Sequence, residues 1–144
     1  MLGLGGMAKT LEELPVYQLS LELAAVVTAI LEEPAFGRNL KLRDQIATAM
    51  DSVLANMAEG FEGPTDASLQ HYLFIAKASA AEVRTRVDAA HRRRFVTAER
   101  CATCTALARS VERMLGGWIK YLARCGWQDR GRRGLASPPR HRRS

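Results

Sequence analysis

The chain lacks a long hydrophobic segment. None of its 144 residues belongs to a run approaching the ~20 apolar residues that a membrane-spanning helix needs. The first residues, Met1–Met7, contain neither a basic region nor a hydrophobic stretch of useful length, so they do not resemble a signal peptide. We therefore expect no membrane contact and a cytoplasmic location. The length is that of one domain, and the apolar fraction of 47% is enough to form a core.

Cysteine is scarce, and its number is odd. The three cysteines are Cys101, Cys104 and Cys125, which argues against a disulfide framework in a cytosolic chain. Cys101 and Cys104 form a single C-x-x-C pair, but a zinc site needs two further ligands at suitable spacing and none follows. A thioredoxin-like site would need a preceding strand. The pair is therefore predicted to be two small apolar residues on a helix face.

The sequence also lacks a recognisable set of catalytic groups. The three histidines, His71, His91 and His141, are scattered, and no E-x-x-H pair indicates a di-iron bundle site. The glycines near the start do not follow a strand, so they do not form a phosphate loop. We predict no catalytic residue, no metal and no cofactor, and hence a protein that is not an enzyme.

Acidic residues are nearly absent from the C-terminal segment. The net charge of +6 arises there, because residues 123–144 contain seven arginines and one acidic residue, while the rest of the chain is balanced. Its composition, rich in Gly, Pro, Ser and Arg, is typical of a disordered, solubilising tail, which could also bind phosphates non-specifically. The candidate phosphate-binding residues are Arg124, Arg130, Arg132 and Arg133, followed by Arg140, Arg142 and Arg143.

Strand-like alternation is missing, whereas helical periodicity recurs in four segments. Short connections join them, and the two turns that follow the second and third segments are too short for a crossover. The pattern predicts an all-α, antiparallel up-and-down four-helix bundle. Residues 1–10 are predicted to be a flexible N-terminus, 11–123 the bundle and 124–144 the tail. The four helices are predicted at about Pro15–Glu33, Asn39–Phe61, Thr65 or Asp66 to His91, and Thr97–Leu122.

The predicted helices carry broad apolar faces. The fourth has a heptad seam, and the glycine pair Gly116-Gly117 within it indicates the close approach of another helix, or a kink. The first has a face of its own, and the total apolar surface exceeds the need of one small bundle, which favours self-association. The seam of the fourth helix contains Cys101, Cys104, Ala108, Val111, Leu115, Trp118 and Leu122. The face of the first contains Val16, Tyr17, Leu21, Ala24, Val27, Thr28 and Leu31.

The segment SVLANMAEGF, residues 52–61, places two polar residues near an apolar seam. Asn56 and Glu59 are three residues apart, and a general acid–base role would need a substrate cleft that the sequence does not indicate. We predict that they hydrogen-bond across helices and fix the register or oligomeric state. Gly60 is expected to end the second helix, and Phe61 to fill the end of the bundle. Asn56→Leu is then expected to change the association state.

A basic cluster, Arg92–Arg94, follows His91 at the corner between the third and fourth helices. It matches the negative end of the helix dipole, and it is also a candidate phosphate-binding patch that Arg84 and Arg86 could extend. The sequence shows no aromatic residues interleaved with this cluster. Contacts with nucleic acid are therefore expected to be independent of base sequence.

Five segments in this order resemble one family. They are LEELPVYQ (11–18), LRDQI (42–46), SVLANMAEGF (52–61), YLFIAKASAAEV (72–83) and MLGGWIKYL (114–122). Together they resemble the four-helix bundle proteins named for open reading frames in the intervening sequences of 23S rRNA genes. The resemblance covers about residues 11–123. The accessory protein of diversity-generating retroelements is similar, particularly at residues 114–119.

The resemblance implies a small non-enzymatic bundle that assembles into a homopentameric ring and binds nucleic acid. For the retroelement branch it implies binding to a reverse transcriptase and its template RNA. Asn56, Glu59, Gly60 and Phe61 belong to the family's structural signature. After Phe61 the family usually has basic residues, whereas this chain has Glu62-Gly63-Pro64, which shifts the expected RNA contacts to Arg92–Arg94 and the tail.

Two functional hypotheses follow, an oligomeric adaptor that binds RNA and a protein-interaction scaffold whose partner is another protein, such as a reverse transcriptase. An enzyme is a third class, but the catalytic groups that it needs are missing from the sequence. The sequence does not distinguish a retroelement from an rRNA intervening sequence as the source.

Overall fold

A computed structural model describes residues 10–125, which contain four α-helices, two short 3-10 helices and no β-strand. The prediction of an all-α fold is confirmed for this part of the chain. Within it, no helix is long and apolar enough to cross a membrane. The helices are α1 (Pro15–Leu31), α2 (Leu40–Glu62), α3 (Asp66–Arg92) and α4 (Ala98–Cys125), and the 3-10 helices are Leu11–Glu13 and Pro34–Arg38.

The four helices pack in a closed cycle, in which α2 contacts α3, α3 contacts α4, and α1 lies against both α4 and α2. Hydrogen bonds between α3 and α4 show that the two helices run in opposite directions. Gln70, early in α3, donates to the carbonyl oxygen of Ile119, late in α4, and Arg84 binds Glu112 further along both helices. The arrangement is the antiparallel bundle that short connections favour.

Polar side chains begin three of the helices. The Asn39 Oδ1 atom accepts a hydrogen bond from the Leu42 backbone N–H at 3.0 Å, and Thr65 Oγ1 accepts one from Ser68 at 3.0 Å. Thr97 Oγ1 accepts a longer bond of 3.2 Å from Arg100. Each bond satisfies one of the N–H groups that a helix start leaves without an intrahelical partner. The predicted starts of α2, α3 and α4 are therefore confirmed to within one residue.

The predicted seam of α4 lies in the core. Every one of its seven positions is buried, and Cys104, Ala108, Val111 and Leu115 are completely inaccessible. The apolar stripe of α3 is buried as well, and it consists of Leu69, Leu73, Ala76, Ala80, Val83, Val87 and Ala90. Burying such an apolar stripe is the main source of stability for a bundle helix.

The face predicted for α1 is partly wrong. The buried stripe consists of Val16, Ser20, Leu23, Val27 and Ile30. Leu21 is 44% exposed, Thr28 is exposed, and Tyr17, Ala24 and Leu31 are half-buried. Ser20 can occupy the core because its hydroxyl donates to the Val16 carbonyl oxygen at 2.7 Å. The side chain thus satisfies its own hydrogen-bonding need within the helix.

The end of α2 also differs from the prediction. Gly60 does not end the helix, which continues to Glu62, where the backbone N–H of Gly63 still donates to the Glu59 carbonyl oxygen. Gly60 is buried, and a Cβ atom there would lie 3.1 Å from Leu69 Cδ1 and 3.1 Å from Tyr72 Cβ. The glycine therefore permits the close approach of α3, and Phe61 is buried beside it, as predicted.

The end of α4 shifts the predicted boundary between bundle and tail. The helix reaches Cys125, two residues beyond the predicted end of the bundle at residue 123. Arg124 is therefore an exposed residue of the last helical turn. Residues 1–9 and 126–144 lie outside the described residues, and so do the tail candidates Arg130, Arg132 and Arg133.

Candidate nucleic-acid interface

The signature segment provides a polar link between α2 and α3. Ser52 Oγ lies 2.7 Å from Ser79 Oγ on α3. The Asn56 amide donates to the Ser52 carbonyl oxygen at 2.8 Å and to Ser52 Oγ at 3.0 Å. Asn56 therefore bonds within its own helix and reaches α3 only through Ser52, while Glu59 is exposed. The predicted cross-helix bonds of Asn56 and Glu59 are wrong, and Ser52 is the residue that connects the helices.

The basic corner after α3 is built by a tight turn. Arg94 has a φ of 63°, in the left-handed region that few non-glycine residues adopt. The turn is closed by the Phe95 backbone N–H, which donates to the Ala90 carbonyl oxygen at 3.0 Å, and by His91 Nδ1, which lies 3.0 Å from the Val96 carbonyl oxygen. Together these contacts leave Arg92–Arg94 exposed at one end of the bundle.

Arg84 and Arg86, the two arginines expected to extend that basic corner, already form ion pairs. Arg84 pairs with Glu112 at 2.9 Å, and Arg86 pairs with Glu82 at 3.0 Å and donates to Gln45 at 2.8 Å. Arg92 itself is 3.6 Å from Asp88 in an exposed pair, which contributes little to stability. Arg93 and Arg94 are therefore the two arginines of the corner with no ion pair among the described residues.

The basic corner Arg92–Arg94 and the first tail candidate, Arg124, lie at opposite ends of α4. The corner Arg92–Arg94 is beside the start of α4, whereas Arg124 is in its last turn. At 1.5 Å per residue, the 28 residues of α4 extend over about 40 Å. The corner and Arg124 therefore do not form one site on a single chain.

A third basic region lies between those ends, in an open groove of about 610 Å³ along α3 and α4. Lys77 of α3 flanks it, and Gly116 and Gly117 form part of its floor on α4. The Lys77 ammonium extends over Gly116, because a Cβ atom at Gly116 would lie 3.5 Å from Lys77 Nζ. We call this feature the α3–α4 groove. Its lining residues are Lys77, Arg109, Glu112, Arg113, Gly116, Gly117 and Lys120.

The charge of the α3–α4 groove is positive and largely uncompensated. Glu112 is the carboxylate among its lining residues, and Arg84 already binds it through two hydrogen bonds of 2.9 and 3.1 Å. Within residues 10–125, the four remaining cations form no ion pair; Arg113 donates only to the neutral Ser110 hydroxyl. The groove can therefore attract an anionic ligand. Its unpaired cations are Lys77, Arg109, Arg113 and Lys120.

Sequence reasoning missed this groove, although a signal was present. Arg109, Arg113 and Lys120 recur at steps of four and seven residues, which place them on one face of α4. The glycine pair was expected to mark the approach of another helix or a kink. Within the described chain no helix approaches it, since a Cβ atom at Gly117 would meet nothing within 4 Å. The glycines instead leave the groove open to solvent.

The cysteine pair has no feature of a reactive or metal-binding site. Cys101 and Cys104 are buried free thiols, and burial raises the pKa of both, that of Cys104 to about 12. A raised pKa keeps the thiol protonated and unreactive at neutral pH. In the described part of the chain, His, Cys, Asp and Glu side chains form no group that could hold a metal ion. The pair packs as part of the α4 seam.

Known proteins show what this chain is similar to. The sequence model of the 23S rRNA-intervening sequence protein family matches residues 12–117. Among solved structures, the chain is similar to a protein of unknown function from the S23 ribosomal protein family of Bacteroides thetaiotaomicron, with a TM-score of 0.66 and 22% sequence identity. That similarity covers 73% of this chain and 98% of the other, and it shows a shared fold. None of the curated proteins matches the chain.

Proposed function

Because the chain belongs to the 23S rRNA-intervening sequence protein family, we propose that it is a non-enzymatic, oligomeric four-helix bundle that binds RNA as an adaptor. The observation that carries this proposal is the set of exposed cations without acidic partners in the α3–α4 groove and at the corner Arg93–Arg94. Phosphate groups are the natural ligands of such a surface.

Acidic and basic residues are concentrated in different parts of the bundle, and this distribution supports an anionic partner. Residues 11–33, which include α1, contain five glutamates and no lysine or arginine. Of the ten cations that form no ion pair within residues 10–125, seven lie on α3, α4 and the corner between them, and the other three are Arg38, Lys41 and Arg43. Although the net charge of the bundle is balanced, the surface formed by α3 and α4 is therefore positive. This surface can orient an incoming nucleic acid before any contact is made.

The mode of binding that fits these residues relies on the phosphate backbone. Lysine and arginine side chains on a helical surface contact phosphates without distinguishing the bases. The protein then needs a partner to select its target, as an adaptor does. In the finer version of the proposal, this partner is the reverse transcriptase of a diversity-generating retroelement, and the RNA is its template.

Self-association is the second part of the proposal, with a homopentameric ring as the assembly. It is supported by the apolar positions of α1 that the bundle leaves accessible, above all Leu21, and by the exposed Met114 on α4. Such residues remain in contact with water unless another copy covers them. Native mass spectrometry is expected to give five chains per particle, and Leu21→Glu is expected to dissociate it. A monomeric wild-type protein would contradict this part of the proposal.

The alternative is a scaffold that binds another protein without touching nucleic acid. The same exposed apolar residues favour it, since they fit a protein partner as well as another copy. A pull-down from cells with and without nuclease treatment separates the two functions. An adaptor that depends on RNA loses its partners after nuclease treatment, whereas a protein scaffold retains them.

The direct test of RNA binding is a titration of labelled RNA at several salt concentrations. For contacts with phosphates, log affinity falls linearly with log salt concentration. Removal of residues 126–144, which retains every described residue of α4, is expected to weaken binding because six arginines are lost. Absence of binding by the full chain at low salt would rule out the direct contact.

A further inference from the structure

An exposed aromatic ring lies beside the α3–α4 groove. Phe74 is 55% exposed, although most large apolar residues of α3 are buried. It precedes Lys77 by three residues, and side chains at this spacing are neighbours on a helix surface. The ring therefore flanks the side of the groove that Lys77 lines.

We infer that the α3–α4 groove binds single-stranded nucleic acid, with its phosphates on the groove cations and one unpaired base stacked on Phe74. This inference rests on the proposed RNA-binding function and adds the location of the site and the form of the ligand. Basic grooves that track a backbone beside an aromatic platform are the general means of binding single strands.

The spacing of the cations fits a strand that runs along the groove. Arg109, Arg113 and Lys120 share a face of α4, and the rise of 1.5 Å per residue puts the first and last about 16 Å apart along the helix. Lys77 lies across the groove from them, with its ammonium over Gly116. A strand in the groove meets positive charge on both sides, while the bidentate contact with Arg84 neutralises Glu112.

The floor of the groove allows a close approach. Gly116 and Gly117 have no side chains, and the space above Gly117 is empty to at least 4 Å. Sugar and phosphate groups can therefore approach the helix backbone between Arg113 and Lys120. The glycines shape the groove, but the cations and Phe74 are what select the ligand.

Phe74 distinguishes a single strand from a duplex. In a duplex the faces of the bases are covered by their neighbours, so only phosphates and groove edges remain for the protein. An unpaired base instead offers a face to an aromatic ring, a contact that is tolerant of sequence. An acidic protein segment is the other polyanion that fits the charges, but a stacking platform adds little to its binding.

The experiment measures fluorescence anisotropy of a labelled oligouridine of about 12 nucleotides, within the usual site sizes of single-strand binders, and of a duplex of the same length. The full-length protein is compared with Phe74→Leu, which keeps an apolar side chain but removes the ring, and with Phe74→Trp, which restores a ring. Leu40→Ala is the matched control, because Leu40 is 58% exposed on α2, away from the groove. Circular dichroism and native mass confirm folding and assembly.

Phe74→Leu is expected to weaken oligouridine binding at least tenfold, equivalent to about 1.4 kcal/mol, while duplex binding and the Leu40→Ala variant stay near wild type. Phe74→Trp is expected to bind as wild type does. The triple variant R109Q/R113Q/K120Q is expected to reduce the salt slope by about 2, since each phosphate contact with a single strand contributes about 0.7. The triple variant R92Q/R93Q/R94Q makes the same charge change at the corner and is expected to alter the slope less.

Equal binding of wild type and Phe74→Leu, or equal loss of single-strand and duplex binding, would overturn the inference but leave RNA binding intact. The same holds if Phe74→Leu changes the native mass, because the ring then lies between copies. If the groove triple variant binds RNA normally but no longer binds polyglutamate, the ligand is an acidic protein and the inference is wrong. Failure of the wild type to bind any RNA would remove the proposed function itself.

Discussion

Arg84 on α3 and Glu112 on α4 form an ion pair with two hydrogen bonds, Nε to Oε2 at 2.9 Å and Nη2 to Oε1 at 3.1 Å. Their side chains are only 22% and 16% exposed. The hydrogen bond with Glu112 raises the pKa of Arg84 above its ordinary value, although partial burial opposes the rise. The pair connects two helices and neutralises the carboxylate of the α3–α4 groove at the same time.

Glu112→Gln separates these two roles. The groove gains one net positive charge, so we expect severalfold tighter oligouridine binding at low salt. The loss of a charged partner for Arg84 is expected to lower the free energy of unfolding by about 1 kcal/mol. Glu99→Gln is the control, because it makes the same charge change at the far end of α4. If both variants tighten binding equally, the effect comes from net charge and not from the groove.

The same substitution at two glycines should have opposite effects on stability. At Gly117 a Cβ atom meets nothing within 4 Å, so Gly117→Ala is expected to stabilise the protein by about 0.5–1 kcal/mol through helix propensity. At Gly60 a Cβ atom lies 3.1 Å from two atoms of α3, so Gly60→Ala is expected to destabilise by about 1 kcal/mol despite the same gain. Urea unfolding of the two variants tests this, and a shift of the same sign in both would contradict the packing described for α2 and α3.

The buried thiol of Cys104 makes stability depend on pH in the alkaline range. Burial raises its pKa from 9.0 to about 12, so the folded state keeps the proton that the unfolded state releases. The stabilisation is complete below pH 9 and is lost as pH rises toward 12. Between pH 9 and 11 the wild type is expected to lose about 2 kcal/mol in total relative to Cys104→Ala, because half of the unfolded thiol is already ionised at pH 9. Val111→Ala, which truncates a non-ionising neighbour in the seam, should show no such difference in slope from the wild type.

The polar link between α2 and α3 depends on Ser52 and Ser79 more than on Asn56. Ser79→Ala removes the cross-helix partner and is expected to cost about 1 kcal/mol of unfolding free energy. Asn56→Leu removes only bonds within α2, so we expect a smaller loss and an unchanged native mass. This reverses the expectation that Asn56 sets the association state. A change of mass in Asn56→Leu alone would restore the earlier interpretation.

Periodicity predicted the fold where apolar residues alone define the buried face. The α4 seam and the start of α3 at Thr65 are confirmed, and so is the family resemblance that the signature segment supports. Periodicity failed on α1, because Ser20 occupies the core by bonding to its own helix. It also gave no reason to bury Gln70, whose side chain reaches the Ile119 carbonyl oxygen on α4.

The α3–α4 groove could not be predicted from periodicity, for a physical reason. Periodicity assigns residues to faces of one helix, whereas the groove depends on the register between α3 and α4, which brings Lys77 over Gly116. Phe74 lies off the apolar stripe of α3, so periodicity left it outside the core but did not place it beside the cations of α4. The basic corner was visible because its three arginines are consecutive in the chain.

Binding of RNA through exposed cations predicts an affinity that depends on salt. The most direct measurement is the affinity of the full-length protein for labelled oligouridine as a function of salt concentration. If the four groove cations contact phosphates, the slope of log affinity against log salt should be about −3 or steeper. No binding at low salt, or an affinity independent of salt, would contradict the claim.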